Sequence, residues 1–252
     1  MKIWLLRQKQ TTSWNSPVAT ADAIYALMGG ESRLLESRGE VSARIGNETL
    51  TIRSEEAEAG LAYVKRSYAD TSSALQARTL TVEKQDDGMA WGALYAQYLS
   101  PIADLHRQSV EELQVEKRLY VERMDPTGRS SLQPLTAASV LKPGEKVVTR
   151  LVVRVGQATD FVQLKDARAA CLEPIQTRSG YRWGQGTGYY MEIEDAATHL
   201  FFDRLAKGVY VFEYSCRVAR SGRYEAGVAT LQSAYAPAFA ARSDRFLLQV
   251  SE

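Results

Sequence analysis

The sequence is poor in the residues that do covalent and metal chemistry, with two cysteines and two histidines among 252 residues. Cys171, Cys216, His106 and His199 show no short ligand spacing, so no metal site is expected. Neither His106 nor His199 stands beside a nucleophile motif, which leaves a Ser/His/Asp triad unsupported and predicts a chain that is not an enzyme. An imbalance of charge is also missing. Lys and Arg total 31 against 30 Asp and Glu, a net +1, and this gives no reason to expect nucleic acid or an anionic membrane as partner. No apolar run approaches the roughly 20 residues that cross a bilayer, so membrane insertion of this chain is not expected. The segment Met1 to Leu6 has too few apolar residues for the hydrophobic region of an export signal.

What is present describes an ordinary globular chain. Hydrophobic residues make up 45% and aromatics 9%, with 7 prolines, which excludes disordered and fibrous classes. The length allows one large or two medium domains, and two are expected.

The chain opens with helical signals. Ile3, Trp4, Leu5 and Leu6 make a short apolar stretch, and helices are expected over about 2–9 and 17–28. Ser16 can cap the second, Pro17 suits its first turn, and Gly29-Gly30 can end it. Its apolar stripe is Val18, Ala21, Tyr25 and Met28, which two helices cannot bury by themselves.

From about residue 40 the period becomes two. Residues 49–53 and 79–83 read as strands, and residues 89–99, apolar on both alternating faces, read as a central strand. The charged stretch 111–118 suits a domain boundary. Beyond it, Lys142-Pro143-Gly144-Glu145 predicts a type II turn. Residues 147–155 alternate, with Arg150 and Arg154 outward. Tyr210, Phe212, Tyr214, Cys216 and Val218 share one strand face, as do Phe246, Leu248 and Val250. The fold class expected is mainly β: two consecutive β-sandwich domains preceded by a short helical segment.

Three stretches carry a resemblance: Trp4-Leu5-Leu6-Arg7-Gln8-Lys9-Gln10 with Ala19-Thr20-Ala21-Asp22-Ala23-Ile24-Tyr25-Ala26-Leu27; Asp160-Phe161-Val162-Gln163-Leu164-Lys165-Asp166; and Lys207-Gly208-Val209-Tyr210-Val211-Phe212-Glu213-Tyr214. The sequence resembles the C-terminal region of bacterial alpha-macroglobulins. That resemblance implies residues 1–30 as the last helices of a thioester-type helical toroid, 31–115 as a CUB-like β domain and 116–252 as a closing macroglobulin-like sandwich. It further implies a scaffold fragment of a broad-spectrum endopeptidase inhibitor, a protease trap, that holds the thioester domain closed. The partners implied are the thioester domain of the parent chain and proteases met by the full-length protein. The location implied is the cell envelope, periplasmic or extracellular, with the export signal far upstream. In the family the thioester arises within a Cys-x-Glu-Gln motif, and neither cysteine here is followed by it.

Cys171 and Cys216 are either bridged or two separately buried thiols. The glycine series Gly180, Gly184, Gly186 and Gly188 lacks the helix that a phosphate cradle needs and reads as a flexible hairpin loop, so no cofactor is expected. Glu192, Glu194 and Asp195 read as a solvated edge, and Asn47-Glu48-Thr49 as a chance glycosylation sequon. Tyr181, Trp183, Tyr189 and Tyr190, set among the glycines, form either a contact surface or the packing of their own sandwich. The resemblance implies that this segment faces the thioester domain as an interdomain latch, with Tyr189 and Tyr190 the nearest matches to the rings that keep water from the thioester. An adhesion or carbohydrate-binding β-sandwich is the alternative reading.

Overall fold

A computed structural model describes residues 2–14, 16–28, 41–52, 65–69, 77, 79–85, 92–96, 99–101, 104–237 and 239–252. Two helices come first, α1 (Lys2–Thr11) and α2 (Pro17–Met28). The chain divides into two compact units, residues 1–15 with 98–252, and residues 16–97. The protein is mainly β.

In the smaller unit, Ser16 caps α2 by accepting the Ala19 N–H at 3.1 Å, as its side chain and the following proline predict. Of the expected apolar stripe, Val18, Tyr25 and Met28 are exposed, whereas Ala23 is buried. The Gly29-Gly30 stop lies outside the described residues. Strands β1 (Val41–Ile45), β2 (Glu48–Ile52) and β3 (Leu80–Lys84) form an antiparallel sheet in the order β2-β1-β3. Gly46, at φ 58, begins the two-residue turn between β1 and β2 that also holds Asn47 of the sequon. The central strand expected over 89–99 is not found in the described part. Residues 92–96 are exposed coil, with Tyr95 at 75%. Apolar alternation makes a strand only where a neighbour offers a ladder, and none is formed there.

The larger unit contains β4 (Leu113–Met124), β5 (Ser130–Pro134), β6 (Val140–Leu141), β7 (Lys146–Val155), β8 (Thr159–Ala167), β9 (Leu172–Pro174), β10 (Gly180–Gly184), β11 (Thr187–Ile193), β12 (Ala197–Leu205), β13 (Gly208–Val218), β14 (Gly222–Glu225), β15 (Ala229–Ser233), β16 (Ala240–Arg242) and β17 (Leu247–Val250). Two main sheets have the orders β10-β11-β12-β8-β15-β16 and β5-β4-β7-β13-β9, and a third has the order β14-β17-β6. Their inward side chains merge into one apolar core that draws Leu113, Val115 and Leu119 from β4, Leu164 from β8, and Phe212 and Val218 from β13. This is a β-sandwich.

Several local expectations hold. Gly144 takes φ 90 and the Glu145 N–H donates to the Lys142 carbonyl at 3.2 Å, completing a type II turn. Tyr210, Phe212, Tyr214, Cys216 and Val218 are all buried. The charged residues 111–118 run into β4, where Lys117 points inward with a side chain 2% exposed. The end of α1 is tied to this unit: Gln157 Nε2 donates to the buried Thr11 hydroxyl at 3.0 Å, and the Ser13 N–H donates to Asp160 at 2.9 Å.

Candidate functional site: an aromatic edge hairpin

The segment expected as a flexible hairpin loop is a hairpin whose strands pair right up to a two-residue turn. β10 and β11 pair from Gly180 opposite Met191 to Gly184 opposite Thr187, leaving only Gln185 and Gly186 in the turn. Both have positive φ, 57 and 76, the combination of a type I′ turn whose twist matches the flanking strands. Gly186 meets that demand without strain, and Gln185 accepts a left-handed backbone that its side chain disfavours.

Alternation then divides the four aromatic residues between two faces. Tyr189 turns inward, with its ring centroid 5.5 Å from Phe202 and 5.2 Å from Phe212. Burial pushes its phenol above the ordinary range, opposed by the charge of Arg182 directly opposite on β10. Tyr181, Trp183 and Tyr190 lie on the other face. Tyr181 and Tyr190 are cross-strand partners in an edge-on contact at 5.2 Å. Trp183 covers the bare backbone of Gly188, where an added Cβ would come within 3.2 Å of the indole. Yet Tyr181 is 85% exposed and Trp183 78%. Phe201 of β12, opposite Tyr190, continues the row. Tyr189, itself partly buried, packs against the core, Tyr181 and Trp183 are exposed, and Tyr190 is half-buried on the face that they share.

The remaining candidates stay apart. His106 is exposed, and its carbonyl accepts from Arg242 Nε at 3.0 Å. His199 is buried on β12; Gln163 Nε2 donates to its Nδ1 at 3.0 Å, Phe201 stacks on its ring, and its Nε2 lies 3.3 Å from Glu194 without a hydrogen-bonding angle. These partners are an amide, a ring and a carboxylate, with no nucleophile among them. Glu194 and Asp195 are exposed and Glu192 half-buried. Cys171 and Cys216 are both free and buried, so the bridge is not made. Among the described residues no cluster of His, Cys, Asp and Glu is arranged to hold a metal, and no helix is long and apolar enough to cross a membrane.

A buried polar group went unnoticed in the sequence. Lys117 of β4 meets Asp166 of β8 at 2.7 Å, and the Tyr214 hydroxyl of β13 donates to the other Asp166 oxygen at 2.5 Å. Lys117 Nζ also donates to the carbonyls of Ala167 and Ala226 at 2.8 and 3.1 Å. The signal was legible: each of the three occupies an inward position in an otherwise apolar alternation.

The family model for the bacterial alpha-2-macroglobulin MG10 domain matches residues 113–238, half of the chain. The chain belongs to the bacterial alpha-2-macroglobulin family. The MG10 match begins at the first residue of β4 and takes in the hairpin and the buried polar group. Solved alpha-2-macroglobulin structures are similar at low identity. Trypsin-activated alpha-2-macroglobulin from Escherichia coli is 16% identical with a TM-score of 0.49, covering 98% of this chain and 16% of that one. Salmonella alpha-2-macroglobulin reacted with methylamine is 16% identical with a TM-score of 0.45, covering 96% and 15%. Native Escherichia coli alpha-2-macroglobulin from domain MG7 to the C-terminus is 15% identical with a TM-score of 0.44, covering 96% and 37%. The chain therefore spans about one sixth of the two longer relatives. None of the curated proteins compared matches it.

Proposed function

We propose that this chain is a scaffold portion of an exported protease-trapping alpha-macroglobulin, performing no catalysis itself, and that its edge hairpin is the contact that holds a neighbouring thioester-type domain in the resting arrangement. Residues 1–30 then belong to that domain's last helices and 31–115 to a CUB-like domain, with the parent protein in the cell envelope. The observation that carries the reading is the pair of rings at Tyr181 and Trp183, 85% and 78% exposed, on a hairpin of an MG10-family domain. Exposed aromatic area of this kind is ordinarily covered by a partner. Solved relatives include alpha-2-macroglobulins activated by trypsin and by elastase, which supports a protease as the trigger here.

The hairpin's construction suits a latch. A rigid two-residue turn fixes the rings, Tyr189 anchors the hairpin to the core, and the outward rings exclude water from whatever they cover. Rigid-body movement of one domain then uncovers it. The test is to replace Tyr181, Trp183 and Tyr190 together by Ala in the full-length parent protein and to follow domain opening by small-angle scattering and methylamine uptake before any protease is added. Premature opening is expected. An unchanged resting state in both measurements would remove the latch.

A further inference from the structure

β10 is the terminal strand of the six-stranded sheet. The turn decides which of its backbone groups are free. Gly184 opposite Thr187 closes the two-residue turn as a hydrogen-bonded pair, so alternation makes Arg182 opposite Tyr189 the next such pair. The N–H and C=O groups of Tyr181 and Trp183 therefore point away from β11. Among the described residues no backbone hydrogen bond reaches that side of β10.

Edge strands are normally guarded by charged side chains, proline, a bulge or a covering segment, and on β10 Arg182 is the single charge. β10 reads Gly-Tyr-Arg-Trp-Gly, its register with β11 is unbroken, and its two exposed rings belong to the same residues whose backbone is free. Between them, on the inward face, the half-buried Arg182 has an Nε that finds no hydrogen-bond partner among the described residues, and its Nη2 donates to the Arg178 carbonyl at 3.2 Å. Among the described ion pairs no carboxylate reaches it.

We propose that β10 is a strand-addition site for an extended polypeptide segment of apolar–acidic–apolar alternation. Two apolar residues of the segment exchange backbone hydrogen bonds with Tyr181 and Trp183 and extend the aromatic row of the outer face. The acidic residue between them stands opposite Arg182 and supplies the missing charge. A second copy of this chain is the poorer occupant, because antiparallel pairing of two β10 strands sets Arg182 against Arg182. The inference rests on the hairpin being a contact surface and adds an extended segment at the edge beside its rings. The two stand or fall by different readouts, since the latch is judged in the parent protein by ring removal and strand addition by backbone protection in this chain.

The experiment titrates the 252-residue chain with the peptide Ac-TTVEVTT-NH2 and follows amide hydrogen exchange by NMR. At saturation the amides of Tyr181 and Trp183 slow about tenfold, whereas Arg182, already bonded to β11, does not change. The peptide Ac-TTVKVTT-NH2 binds about fivefold more weakly, the Arg182→Glu chain reverses that order, and N-methylation of both valines abolishes binding to the unaltered chain. Absence of protection at Tyr181 and Trp183, equal affinity for the two peptides, or a dimer in sedimentation with those amides protected before any peptide is added would each overturn the proposal.

Discussion

Lys117 and Asp166 face each other at 2.7 Å across the two main sheets, with side chains 2% and 0% exposed. One belongs to β4 and the other to β8, and Tyr214 of β13 completes the group from the Lys117 side of the sandwich. A buried pair of this kind adds little net stability compared with apolar residues of the same volume, yet losing one partner strands the other charge.

Asp166→Ala is accordingly expected to cost about 3–5 kcal/mol, and Lys117→Met with Asp166→Leu together much less. Urea denaturation of the two variants measures the difference. A single variant as stable as the double would show that Lys117 finds water or another partner.

Tyr214→Phe removes the hydroxyl donated to Asp166 and is expected to cost about 1–3 kcal/mol. The same burial, reinforced by the Asp166 charge, holds the phenol well above its ordinary range. A raised pKa favours the neutral phenol in the fold, so its contribution is complete below pH 10 and falls away as the solution becomes more alkaline. The variant should therefore lose stability less steeply than the parent chain in that range.

Burial likewise pushes the Cys171 thiol from its ordinary 9.0 up to about 11. The stability it confers is intact below pH 9 and is lost as pH rises to about 11. Denaturation midpoints across this window should fall more gently in Cys171→Ala. Neither Cys171 nor Cys216 should react with a thiol reagent such as Ellman's until the chain unfolds, because only the thiolate attacks and both are enclosed.

The two faces of the hairpin should separate in stability measurements. Tyr189→Ala, which strips a ring from Phe202 and Phe212, is expected to cost about 3 kcal/mol, while Tyr181→Ala changes the melting temperature little. Gln185→Asn, placing Asn-Gly in a type I′ turn, should stabilise by about 0.5 kcal/mol. Equal effects at Tyr181 and Tyr189 would contradict the assignment of faces.

Local physics determined a good part of this protein from sequence alone. The cap at Ser16, the type II turn at Pro143-Gly144 and the alternation of residues 210–218 each depend on a few neighbouring residues, and each forms as expected. The family resemblance was also legible, through stretches that include the inward residues of β8 and β13. Alternation alone misled at residues 92–96, where apolar side chains lie exposed without a ladder. Tertiary structure decided what depends on pairing and burial. It placed Tyr189 inside and Tyr181 outside, made the expected hairpin a pair of strands at the edge of a sheet, and brought Lys117 to Asp166 from strands in opposite sheets. A period of two shows that successive side chains point to opposite faces, but which face is covered, and by what, depends on strands far away in the chain.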